Sequence, residues 1–162
     1  MTQSTVRRFD PRNLVVGLVA GMGFGMMEMV IEAIVGRGFW APLRFIASVF
    51  TLGKDTDPSF SFLPVVVGLM GHMMNSVVLG LVFVLVISRV TTGVVGLALT
   101  GMAYGAAVFA VMWFLALPLI DPAMLLLNGP GFFLSHLMYG LLLGLGTWLV
   151  RERRAGRQLV AA

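Results

Sequence analysis

Residues 14–35, which read LVVGLVAGMGFGMMEMVIEAIV, form the stretch that decides the fold. The stretch is apolar apart from two charged side chains, Glu28 and Glu32. As a helix, a run of this length crosses the ~30 Å hydrocarbon core of a bilayer. A helix is expected because lipid offers unpaired backbone N–H and C=O groups no water to bond. Leu14–Val35 therefore predicts a membrane-spanning helix.

Three further apolar stretches have the same character, at Phe62–Val86, Val94–Leu119 and Phe132–Val150. The chain of 162 residues is 59% hydrophobic and 11% charged, whereas a soluble domain carries about 25% charged residues. A water-soluble globule is therefore excluded. We predict an all-α integral membrane protein, a bundle of four transmembrane helices in a single membrane domain covering residues 1–162. Absence of a phosphate loop or a dinucleotide fingerprint favours a role other than catalysis.

Basic residues flank the four stretches unevenly, and such a distribution predicts which side of the membrane each loop and terminus lies on. Eight arginines fall on one predicted side of the membrane: Arg7, Arg8, Arg12, Arg89, Arg151, Arg153, Arg154 and Arg157. Three cations fall on the other: Arg37, Arg44 and Lys54. The imbalance predicts a multi-pass protein of the bacterial inner (plasma) membrane whose N- and C-terminal tails, 1–12 and 151–162, are cytoplasmic. The net charge of +4 then reflects topology in the lipid bilayer, and nucleic acid is not expected as a partner.

The two halves of the sequence resemble each other. Residues 21–25, GMGFG, recur 80 residues later as GMAYG, and the pattern His-x-Met-x5-Gly-Leu that starts at His72 recurs 64 residues later from His136. We predict two parallel two-helix repeats, about 13–88 and 92–150. Each repeat would contain a short interfacial or re-entrant helix, and the pseudo-two-fold axis would run along the membrane normal.

Small residues four apart mark the faces on which membrane helices pack closely. In the first span the glycine row of residues 17–25 continues at helical spacing as Glu28 and Glu32, which directs both carboxyl groups into the bundle. His72 and His136 likewise precede small residues by four and eight positions. Counted at about 1.5 Å per residue, the four ionisable groups lie within about 5–15 Å of the external surface. The sequence therefore predicts one shared polar layer.

A metal ion is the first function that this layer suggests, with Glu28, Glu32, His72 and His136 as ligands. Carboxylate oxygen and imidazole nitrogen bind Cu, Zn, Fe or Mn, and nearby thioethers favour copper. The supporting residues are Asn75, Tyr139, Met74 and Met138. A chain with such a site would serve as an accessory or transport component.

Three other roles fit the same residues. The chain could be a structural membrane subunit whose Glu/His network only holds the bundle together. His72 and His136 could ligate haem b, although close glycine contacts leave little space for a porphyrin. Glu28 could be the protonation site of a proton-coupled transporter, and four spans would then call for a homodimer or a larger membrane complex.

Residues 39–44, FWAPLR, and residues 136–144, HLMYGLLLG, resemble a group of small bacterial inner-membrane proteins of four helices with an FWAPLR-type external loop. The resemblance implies the four-helix membrane fold. It implies no activity and assigns no site residue. Trp40 within this loop is expected at the level of the lipid headgroups, where tryptophan is enriched.

Overall fold

The computed structural model describes residues 11–51, 57 and 59–160. Tails 1–10 and 161–162, with Arg7 and Arg8, lie outside the described residues, as does Lys54. Within these ranges the chain is helical and has no β-strand. The α-helices are α1 (Arg12–Ile34), α2 (Ala41–Thr51), α3 (Phe62–Leu85), α4 (Val94–Val111), α5 (Leu117–Ile120) and α6 (Gly129–Val160).

Four helical segments of the described chain are long and apolar enough to cross a membrane: Arg12–Ile34, Phe62–Val90, Val94–Ile120 and Gly129–Arg157. The predicted all-α class with four spans is confirmed at this level. The last helix is longer than predicted, because Arg, Glu and Ala after Val150 are good helix formers and continue α6 to Val160. The described part of the predicted C-terminal tail is thus helical.

Helix packing separates two of the spans. α1 packs between α3 and α6, α2 packs on α3, and α4 packs along α6. α3 and α4 therefore flank the α1–α6 pair and make little backbone contact with each other. Tyr104 of α4 bridges the gap, since its hydroxyl donates to the Leu79 carbonyl of α3 at 2.9 Å. This separation creates the cavity described below.

Glycines permit the closest helix contacts. A Cβ on Gly80 of α3 would lie 2.7 Å from the Cα of Gly17 in α1, and a Cβ on Gly140 of α6 would overlap the carbonyl of Gly101 in α4. Backbones can approach this closely only where no side chain stands between them. The glycine rows are therefore the seams of the α1–α3 and α4–α6 pairs.

The two seams use corresponding positions. The α1–α3 neighbours are Gly17 with Gly80, Gly21 with Ser76, and Gly25 with His72. The α4–α6 neighbours are Leu97 with Gly144, Gly101 with Gly140, and Gly105 with His136. Each α4–α6 pair follows from an α1–α3 pair by the offsets of 80 and 64 found in the sequence. Outside the seams the halves differ, because Ala41–Thr51 is an α-helix whereas the segment after Asp121 is a single 3-10 turn, Pro122–Leu126.

Connections at both ends of the bundle are tied to the helices. Arg151 of α6 donates to the Thr91 carbonyl and to the carbonyl and hydroxyl oxygens of Ser88. These bonds hold the α3–α4 connection against α6. On the opposite side, buried Arg44 of α2 donates through Nε to the Asp57 carbonyl at 2.8 Å, and the Trp40 ring packs 5.1 Å from that of Phe60.

Candidate functional site

Both glutamates of α1 are buried, with exposed fractions of 1% for Glu28 and 0% for Glu32. Their position agrees with the direction that the glycine row predicts. Glu28 Oε2 accepts a hydrogen bond from the Ser135 hydroxyl of α6 at 2.7 Å. Glu32 Oε1 accepts from the backbone N–H of Asn128 at 2.6 Å, and its Oε2 lies 3.6 Å from Arg37 Nη1. The carboxyl groups therefore tie α1 to the start of α6 and to its own C-terminal turn.

The two histidines lie on either side of Phe24. Its ring stacks on His72 with centroids 5.2 Å apart and meets His136 edge-on at 4.7 Å. His72 Nε2 donates to the Gly21 carbonyl and His136 Nδ1 donates to the Phe132 carbonyl, both at 2.8 Å. Since a carbonyl only accepts, these nitrogens carry the protons, and the other nitrogen of each neutral ring is an acceptor.

The four predicted metal ligands thus belong to two sets of contacts, the glutamates with Ser135, Asn128 and Arg37, and the histidines with Phe24 and backbone carbonyls. Among residues 11–51, 57 and 59–160, no three His, Asp or Glu side chains form a group that could hold a metal ion. A porphyrin between the two imidazoles would have to displace the Phe24 ring. Metal and haem binding therefore stay predictions from the sequence.

The supporting residues are also divided. Tyr139 is buried and donates its hydroxyl to the Ser76 carbonyl at 2.6 Å. Asn75 and Met74 are exposed on α3, whereas the Met138 methyl group lies 3.7 Å from where a Cβ on Gly23 would be. Tyr139 and Asn75, but not Met138, line the cavity between α3 and α4.

A cavity of about 520 Å³ fills the space between α3 and the Val94–Ile120 span, and we call it the α3–α4 cavity. Most of its wall is apolar, and Met74 and Ile120 at its edge are exposed on the outer surface of the bundle. The polar side chains in its wall are His72, Asn75, Ser76, Asp121, His136 and Tyr139. A smaller cavity of about 310 Å³ adjoins it and extends to Tyr104. Pockets of this size, mostly apolar with a few convergent polar groups, are typical of ligand sites.

A π-helical turn at Met112–Ala116 contributes to the same wall. Its cause is Pro118, which has no N–H to offer the Phe114 carbonyl and whose ring would clash with that carbonyl in a regular α-helix. The helix widens before the proline and then continues as α5. Such π turns inside α-helices occur frequently at functional sites.

A buried polar pair lies at the α2 end of the α3–α4 cavity, where Asp121 is part of the wall. The Ser48 hydroxyl of α2 lies 2.8 Å from Asp121 Oδ2, and both residues are buried. This bond joins α2 to the turn that follows α5. Neither this pair nor the role of Tyr104 was predicted from the sequence, although Tyr104 follows Phe24 by the repeat offset of 80, which is a signal for it.

Comparisons with protein-family models, with curated proteins and with solved structures found no match for this chain. Its function is therefore inferred from the chemistry of the α3–α4 cavity and of the buried carboxyl groups.

Proposed function

We propose that this multi-pass membrane protein binds a lipid-soluble alcohol in the α3–α4 cavity. The observation that carries the proposal is a cavity of about 520 Å³ inside the span region with both histidines in its wall. Such a volume lies within the range of about 300–1,000 Å³ found for small-molecule sites. Exposed Met74 and Ile120 at the edge give a ligand dissolved in the bilayer a lateral route to the histidines.

Hydrogen-bonding capacity indicates a hydroxyl head group. His72 and His136 already donate to backbone carbonyls, so each offers an acceptor nitrogen to a ligand. The Tyr139 hydroxyl is likewise committed as a donor to Ser76. No lysine or arginine is among the described lining residues, which disfavours a phosphate head group. A quinol, a polyprenol and a diacylglycerol share the required chemistry, a hydroxyl donor on an apolar body.

Binding of three short-chain probes, decylubiquinol, farnesol and dioctanoylglycerol, tests the proposal on purified protein in nanodiscs. We expect saturable binding of at least one probe by tryptophan fluorescence or calorimetry. Val108 lines both cavities. The larger indole ring in Val108→Trp would occupy the cavity space and should abolish binding. Leu99→Trp on the exposed face of the same helix is the matched control and should bind normally.

The size of the histidine effect follows from one hydrogen bond. Loss of the acceptor in His136→Phe removes about 1 kcal/mol, which corresponds to roughly fivefold weaker binding. Absence of saturable binding for all three probes, or equal binding by Val108→Trp and Leu99→Trp, would contradict the proposed function.

Location in the bacterial inner membrane with cytoplasmic termini is part of the proposal. It is supported by the arginines at one end of the spans, of which Arg89 and Arg151 lie at the same end of the bundle as the α3–α4 connection. The chain has no cysteine, so single cysteines report topology without background. A membrane-impermeant thiol reagent should label Ser59→Cys in intact cells and Ala155→Cys only after lysis.

The duplication of a two-helix unit also belongs to the proposal. It is supported by the three neighbour pairs of the α1–α3 seam that recur at equivalent positions in the α4–α6 seam. In this interpretation the α3–α4 cavity lies where the symmetry is broken, because α1 also packs on α6 whereas α4 and α3 stand apart.

A further inference from the structure

Glu28 is a buried carboxyl group with one hydrogen-bond partner among the residues that the structure describes. Its exposed fraction is 1%, and it lies six residues before the end of α1, about 9 Å into the span at 1.5 Å per residue. Oε2 accepts from the Ser135 hydroxyl. Oε1 has no hydrogen-bond partner among the described residues.

Glu32, one turn further along the same face, also has one buried oxygen, Oε2, without a hydrogen-bond partner among the described residues, but its other neighbours differ from those of Glu28. The backbone N–H of Asn128 donates to one carboxylate oxygen and the Arg37 guanidinium lies 3.6 Å from the other. Arg37 has 42% of its side chain exposed, so the ion pair is at the edge of the bundle. Glu32 therefore has a backbone N–H donor and a nearby cation, and Glu28 has neither among the described residues.

The elements packed around Glu28 supply no cation to it among the described residues. α6 presents the neutral Ser135, and the nearest acidic neighbour is Glu32 on α1 itself. The titratable groups of α3 and α6, His72 and His136, contact Phe24 one turn earlier and donate to backbone carbonyls. Arg44 of α2 donates to the Asp57 carbonyl.

A negative charge on Glu28 would carry a large cost in free energy. An ion at membrane depth costs at least about 2.5 kcal/mol on insertion scales, and a buried ion without a counter-ion costs several kcal/mol. Side chains four apart on a helix have Cβ atoms about 5–6 Å apart, so a second negative charge beside Glu32 adds repulsion. One hydrogen bond from Ser135 offsets only part of this cost.

We propose that Glu28 is a proton-binding site, held as the neutral acid at neutral pH because it is buried in the bundle with one hydrogen-bond donor and no cation beside it among the described residues. The proposal is independent of the α3–α4 cavity. Glu32 lies between Glu28 and the end of α1, and Arg37 follows that end with 42% of its side chain exposed. The pair provides a polar route by which the proton exchanges with the aqueous surface.

Infrared spectroscopy of the full chain in nanodiscs tests the proton directly. We expect a carbonyl band of a protonated carboxylic acid at pH 7 that disappears in Glu28→Gln and persists in Glu32→Gln. Glu152→Gln, at an exposed acid on α6, is the matched control and should leave the band unchanged. Absence of the band in the wild type, or its loss in Glu32→Gln alone, would overturn the assignment.

A chemical probe of the unmodified sequence keeps the test valid even where Glu28→Gln fails to fold. The O–H of a protonated carboxyl group adds across one C=N bond of dicyclohexylcarbodiimide to give an O-acylisourea. An O-to-N acyl shift then gives an N-acylurea that retains all atoms of both reactants. Peptide mapping at pH 7 should find the adduct on Glu28, with less adduct as the pH rises. Absence of an adduct on Glu28 at pH 7 would refute the proposal.

Discussion

Replacing Gly140 by alanine tests the α4–α6 seam. The added Cβ would overlap the Gly101 carbonyl and lie 3.1 Å from the backbone nitrogen of Gly105. Both neighbours are helix backbone, so the overlap can be relieved only by moving the helices apart. Overpacking of this kind costs about 1–3 kcal/mol, and a backbone clash belongs at the upper end. Alanine returns about 0.5–1 kcal/mol as the better helix former, which leaves a net loss of about 2 kcal/mol.

The assay is thermal unfolding in detergent, followed by circular dichroism or by fluorescence-detected size exclusion. For a chain of this length 1 kcal/mol corresponds to about 2–4 °C, so Gly140→Ala should lower the Tm by roughly 4–8 °C. Gly156→Ala on the same helix has nothing within 4 Å of its added Cβ and should leave the Tm unchanged or slightly raised. Equal Tm values for the two variants would refute the close seam.

Three further predictions concern the ends of the bundle and the metal hypothesis. Ser48→Ala removes the hydroxyl shared by buried Asp121 and the Phe45 carbonyl and should cost about 1–3 kcal/mol of unfolding free energy, as for a buried polar group left unsatisfied; an unchanged Tm would show that the pair is not formed. Arg151→Ala removes the donors to the α3–α4 connection and should speed amide hydrogen exchange across residues 87–91, with exchange elsewhere in α3 as the internal control. The metal hypothesis requires stoichiometric Cu, Zn, Fe or Mn in elemental analysis of protein purified without chelators, lost in His72→Ala; metal-free wild type contradicts it.

The four spans could be predicted because membrane helices have a strong local signal. Length and hydropathy over each stretch identify them without knowledge of their neighbours. The ends were less well defined, as at α6, where the predicted start at Phe132 became Gly129 and the helix continued beyond Val150. Arg and Glu favour the helical backbone, so the helix continues beyond the apolar stretch from which the span was predicted.

Contacts between the ionisable groups could be predicted only in part. Glycine rows gave the inward faces of α1, α3 and α6, and Glu28 and His136 are indeed buried. They did not indicate which groups would meet, since this depends on the rotation and vertical register of each helix against its neighbour. Glu28 therefore bonds to Ser135 rather than to a histidine.

The α3–α4 cavity has no signature in any single stretch of sequence. It exists because α4 packs on α6 while α3 packs on α1 and α2, and that choice among four similar glycine-bearing helices is made by the bundle as a whole. Pro118 indicates a distorted helix in the cavity wall, but it does not indicate that α3 and α4 stand apart.

The seam between α4 and α6 also sets an order of events during synthesis. α1 and α3 are adjacent along the chain and can pair as soon as α3 enters the membrane, whereas α4 must wait for the last span before its main partner exists. Domains and subdomains assemble from the N-terminus as the ribosome advances. A nascent chain stopped before Gly129 would consequently leave α4 without its main partner, with the backbone of Gly101 and Gly105 uncovered.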